Sequence, residues 1–98
     1  MITAPRGRKA DALAKGLVAA KLAACVNVVP GLVSHYAWKG SRRRDAECLL
    51  IAKTSAAKLP ALTKWIEKNH PYEVPEVLAV KVDAGSGTYL KWLAGELA

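Results

Sequence analysis

The chain contains no phenylalanine, a single methionine and only two cysteines among its 98 residues. Cys25 and Cys48 form no CxxC pair and match no zinc spacing, so a metal-stapled module or a CxxC copper chaperone is excluded. They read as reduced thiols of a cytoplasmic protein. Acidic residues are scarce too, eight against fifteen Lys and Arg, which leaves a net charge of +7 and makes acidic partners worth weighing. Long apolar runs are missing. The stretch from Leu22 to Val33 is broken by Asn27, Pro30 and Gly31 and falls short of the roughly 20 residues that span a bilayer. Val18 to Val29 is broken by Lys21 and Asn27, so neither a membrane span nor a secretory signal is expected. There is also no nucleophile elbow, no HExxH, no Walker loop and no glycine-rich dinucleotide turn, so an enzyme is not expected.

What is present is a high apolar content, 52% in a chain long enough for one domain only, residues 1–98. A domain of this size leaves much of its surface uncovered, so part of that content is expected between subunits. Met1 to Pro5 reads as the end of a strand whose beginning is missing. Ala10, Leu13, Ala14, Leu17 and Val18 recur at helical spacing and predict a helix over Arg6 to Leu22. Cys25 to Trp38 is rich in β-branched residues and predicts a strand, with Pro30-Gly31 as a kink or bulge. A turn at Lys39 to Arg42 and a return strand from Glu47 to Lys53 complete a long hairpin. Pro60 is tolerated only in a first helical turn, so the second helix starts near Ala57 or Lys58, and Asn69-His70-Pro71 stops it. Val77 to Val82 predicts a further strand, and Ser86 or Gly87 opens a short last helix.

The order is βαββαβ plus a C-terminal helix, an α+β, ferredoxin-like arrangement with an antiparallel sheet. Both sides of the return strand are apolar, Leu49 and Ile51 against Cys48, Leu50 and Ala52. The sheet face without helices is therefore expected to meet another subunit.

Three strings give a closer likeness: Lys21 to Asn27 (KLAACVN), Tyr36 to Gly40 (YAWKG) and His70 to Glu76 (HPYEVPE). With Glu47, Lys53-Thr54 and Tyr89-Leu90-Lys91-Trp92, the chain resembles the CutA divalent-cation tolerance family from about Thr3 to Leu93. The resemblance implies a homotrimer, related in architecture to the PII signalling proteins and associated with tolerance to divalent cations, notably copper. It also implies several further residues of the first strand upstream of this start. Two positions proposed for copper in the family hold Ile2 and Asn69 here, and only His70 of that set remains. Copper binding is accordingly expected to be weakened.

The candidate residues follow. His70, beside a helix end, is a metal ligand or a cap on that end, and Cys25 is a soft donor or a small buried side chain. Glu47 and Lys53 are charges on an otherwise apolar strand and are expected to line a polar cleft or pair across subunits. Tyr72 and Glu73 lie on the loop after the second helix, with Glu76, where functional groups are often placed. Trp38 and Trp92 complete the ligand-binding set, or else serve with Trp65 as packing anchors. The basic charge and the βαββαβ order admit an RNA-recognition alternative. That module needs an aromatic-rich strand, whereas Lys39-Gly40 is followed by Ser41 and three arginines, so specific nucleic-acid binding is not expected.

Overall fold

A computed structural model describes all 98 residues. The elements are β1 (Ile2–Pro5), α1 (Arg8–Ala19), β2 (Cys25–Trp38), β3 (Ser41–Lys53), α2 (Leu59–Asn69) and α3 (Gly87–Leu97), with a 3-10 turn at Ala56–Lys58 before α2. The fold class is α+β, with one antiparallel sheet in the order β1-β3-β2.

The α1 helix is shorter than its apolar spacing predicts because both ends are set by backbone geometry. Gly7 precedes it at φ 93° and Lys21 turns out of it at φ 57°. Ala10, Leu13 and Leu17 form its buried stripe. In α2, Pro60 occupies the first turn, where its missing N–H costs nothing, and Leu62 and Ile66 are buried. Pro71 then forces His70 into extended backbone and ends the helix. These helices cover Ile2, Ala4, Cys48 and Leu50 of the sheet, and Ile2, Leu17, Leu50 and Ile66 are the largest fully buried side chains. Each such side chain contributes about 1.5–3 kcal/mol of burial free energy. The opposite sheet face carries Val29 and Ile51, both exposed, as its sequence anticipates.

The hairpin is longer than predicted, since β3 begins at Ser41 and not at Glu47. Pairing persists to Trp38–Ser41 because the turn uses only Lys39 and Gly40, at φ 50° and 80°. Two residues with positive φ match the right-handed twist of the strands and let the ladder close tightly. At Pro30-Gly31 the register slips: Val29 faces Leu49 and Leu32 faces Glu47, so two residues of β2 oppose Cys48 alone. This is a β-bulge at the expected place. It sets Cys48 opposite the bulge and Val33 opposite Ala46, and both cysteines are free.

One predicted element does not form. Val77 to Val82 forms no regular strand. Met1 and Leu78 exchange both backbone hydrogen bonds, N to O at 2.6 and 3.0 Å, the signature of an antiparallel pair. Among residues 77–82 only Leu78 makes backbone hydrogen bonds to this edge of the sheet. Leu78, Val80 and Val82 are exposed. The α3 helix is capped by Ser86, whose hydroxyl accepts from the Tyr89 N–H, but only Leu97 is buried. Its Tyr89, Leu90 and Trp92 face outward.

Candidate functional site

The hairpin and the loop after α2 meet around a cleft of about 680 Å³. Its hairpin wall follows from the pleat. Cross-strand partners share a face, so Ser34–Asp45 and Tyr36–Arg43 point the same way, as does Trp38 opposite Ser41. Two residues further down β3, Glu47 continues that face. The loop wall is Pro71 to Val74 together with Glu76.

His70 fixes the loop. Its Nε2 lies 2.8 Å from the Thr3 carbonyl, and its Nδ1 accepts the Tyr72 N–H at 3.1 Å. Since Nδ1 accepts, Nε2 carries the proton and donates to Thr3, and the imidazole is neutral. The residue is only 7% exposed, its ring packs against Tyr72 at 4.7 Å between centroids, and it ties the end of α2 to β1. In this arrangement no lone pair is left for a metal.

Held in this way, Tyr72 donates its hydroxyl proton to Glu47 Oε2 at 2.6 Å. Glu47 is 5% exposed and no cationic side chain lies within 4 Å of it. Burial first, and then the hydrogen bond to the Glu47 carboxylate, push the Tyr72 hydroxyl well above the ordinary tyrosine range. Nearer the tip, Tyr36 donates to Asp45, and that hydrogen bond is the main reason its hydroxyl is also raised. At the rim, Lys39 Nζ stands 3.7 Å from a Glu73 carboxylate oxygen and 5.7 Å from the centre of the Trp38 ring. Asp45, Glu47, Glu73 and Glu76 are four of the eight acidic residues in the chain, and all line this cleft. Arg43 is its only Lys or Arg, with His35 beside it. A chain of net charge +7 has gathered half of its acidic residues around one cleft.

Of the sequence-derived set, Trp38, Glu47, Tyr72 and Glu73 line the cleft, and His70 supports it without lining it. Lys53 and Cys25 oppose each other at the far end of the hairpin. There Lys53 Nζ bonds to Asn27 Oδ1 and sits 4.0 Å from Cys25 Sγ. Six residues of strand, about 20 Å, separate Glu47 from Lys53, so the two do not share a site. Trp92 lies on α3, packed on Tyr89 at 5.6 Å. Tyr36, Arg43 and Asp45 were not anticipated, although the alternation Arg43, Asp45, Glu47 opposite Tyr36 was the available signal. No three His, Cys, Asp or Glu side chains are grouped to hold a metal ion. The donors in place therefore do not fit a resident metal.

Comparison with known proteins gives a consistent result. A "Protein CutA homolog" from Xenopus laevis is 47% identical over 92 residues, covering 94% of this chain and 61% of that protein. "Protein CutA 1, chloroplastic" from Oryza sativa is also 47% identical over 92 residues, covering 94% of this chain and 52% of that protein. This chain thus spans little more than half the length of those relatives. The solved structure of a divalent cation tolerance protein from Thermus thermophilus superposes with a TM-score of 0.90 at 46% identity, covering 94% of this chain and 89% of that one. Residues 1–96 match the family described as CutA1 divalent ion tolerance protein, and the chain belongs to that family.

Proposed function

We propose that the chain is a non-enzymatic, trimeric binding protein of divalent-cation tolerance, located in the cytoplasm, whose working site is the cleft between hairpin and loop. The observation that carries this reading is the concentration of four carboxylates in a basic chain, with the buried Glu47 lacking a cationic partner. An unneutralised buried carboxylate is costly, and a cation entering the cleft offsets that cost. The absence of catalysis is argued from the same groups: Asp45 and Glu47 are each engaged by a tyrosine hydroxyl, and no nucleophile–base pair accompanies them. The free thiols of Cys25 and Cys48 suit a reducing compartment. The trimer is argued from Val74, Leu78, Val80, Val82, Leu90 and Trp92, all exposed in the C-terminal third of one protomer. An RNA-recognition role is disfavoured, because the rings of Tyr36 and Trp38 lie among carboxylates that repel phosphate.

Sedimentation followed by calorimetric titration with Cu(II) and Mg(II) tests the reading. A trimer that takes divalent cations weakly, and loses them in Glu47→Gln, is the expected result. A stable monomer, or copper binding that is tight and unchanged in Glu47→Gln, refutes it.

A further inference from the structure

The cleft is large for a metal ion and wrongly furnished for one. Its 680 Å³ exceed what a single ion requires, its carboxylates are not gathered into a coordinating group, and aromatic rings stand between them. Two of the four carboxylates already accept tyrosine hydroxyls. An ion of the Mg(II) or Cu(II) kind needs several donors converging on one point. An organic cation needs separated carboxylates and apolar or aromatic walls for its carbon body.

The chain supplies its own example of that second mode. The Lys39 ammonium is held between the Trp38 ring and the Glu73 carboxylate at the rim, on a four-carbon stem. Deeper in, Glu47 offers a second position for a positive charge. Tyr72 occupies Oε2; Oε1 has no hydrogen-bond partner, and because no buried polar atom is left unsatisfied, that oxygen must open to the cleft. Tyr36 and Tyr72, both with hydroxyls committed to carboxylates, leave their ring surfaces as the intervening wall.

We propose that the cleft binds an aliphatic diammonium ion, one ammonium on Glu47 and the other competing with Lys39 for the Trp38–Glu73 position. This rests on the cation-binding reading of the same cleft and names its ligand class. The flexible stem of Lys39 lets its ammonium swing into solvent when the ligand arrives, so Lys39 acts as an internal competitor.

The test is calorimetric titration of the wild-type protein with 1,4-diaminobutane and, separately, with Mg(II) and Cu(II) at matched ionic strength, following the Trp38 indole N–H by NMR. Diaminobutane is expected to bind and to shift that resonance. Glu47→Gln is expected to weaken it about tenfold or more, the loss of one charge-assisted hydrogen bond. Trp38→Leu is expected to weaken it about threefold through the lost ring contact, while leaving any metal affinity in place. Lys39→Met keeps the stem and removes the competitor, so binding tightens. A purely structural role for these residues predicts no tightening in any variant. Divalent metals that bind at Glu47 while diaminobutane does not overturn this inference and leave the cation site standing. If no cation binds at all, both readings fall. Urea unfolding of each variant confirms that the fold is retained.

Discussion

Replacing Tyr72 by phenylalanine removes one hydroxyl from the loop and leaves its ring in place. The Tyr72 hydroxyl is the only hydrogen-bond donor on Glu47, a carboxylate 5% exposed. A hydrogen bond to a charged group contributes about 1.5–3 kcal/mol. Glu47 Oε1 already meets the cleft, and water can enter toward Oε2 once the hydroxyl is gone, so the loss should lie near the lower end, about 1.5 kcal/mol. The same contact has a pH signature. The Tyr72 hydroxyl is raised in the folded chain, so the neutral phenol is favoured by folding. Its stabilising effect is full below the ordinary tyrosine pKa of about 10 and is lost as pH rises from there toward the folded value. Urea unfolding at fixed protein concentration, from about pH 7 to 11, gives both quantities. Wild type should lose stability above about pH 10, and Tyr72→Phe should be weaker at neutral pH with a shallower alkaline decline. A variant within about 0.5 kcal/mol of wild type at neutral pH, with the alkaline limb unchanged, would show that the Tyr72–Glu47 bond does not hold the loop.

His70→Ala strips two backbone partners from a nearly buried position and should cost about 2–3 kcal/mol. Denaturant unfolding measures it, and faster amide exchange at Tyr72 than in wild type should accompany it. Gly16→Ala places a Cβ 2.5 Å from Trp65 Cζ2 and 2.6 Å from Cη2, so the indole must move. Overpacking of about 1–3 kcal/mol outweighs the gain of about 1 kcal/mol in helix propensity. Net destabilisation with altered Trp65 fluorescence is expected, and a more stable protein with an unchanged spectrum contradicts that packing.

The elements fixed by local chemistry were legible in the sequence. Pro60 marked the first turn of α2, Pro71 its end, Ser86 the cap of α3, and Pro30-Gly31 the bulge. What failed depended on a partner. The spacing of Val77 to Val82 states that the segment is extended, but whether it joins a ladder is decided by β1, and pairing there reaches Met1–Leu78 only. The site divides similarly. Tyr72 and Glu73 were legible from the loop that follows a helix stop, and Glu47 from the oddity of a charge on an apolar strand. Tyr36 and Asp45 become visible only once the register of the tip is known. Grouping Lys53 with Glu47 respected the alternation of side chains but not the distance between them along the strand.

The bulge at Pro30-Gly31 also works as a phase shift within one strand. Below it the odd-numbered residues of β2, Cys25, Asn27 and Val29, match the odd-numbered residues of β3; above it the even-numbered ones do, Leu32, Ser34, Tyr36 and Trp38. Loss of one residue at that point would only restore a regular ladder, whereas loss of both Pro30 and Gly31 would set Leu32 opposite Cys48 and turn the β2 side of the tip over. His35 and Ala37 would then face the carboxylates, and Tyr36 and Trp38 would leave the cleft. That two-residue loss, with every side chain of the cleft retained in the sequence, would abolish the site as surely as replacing Glu47.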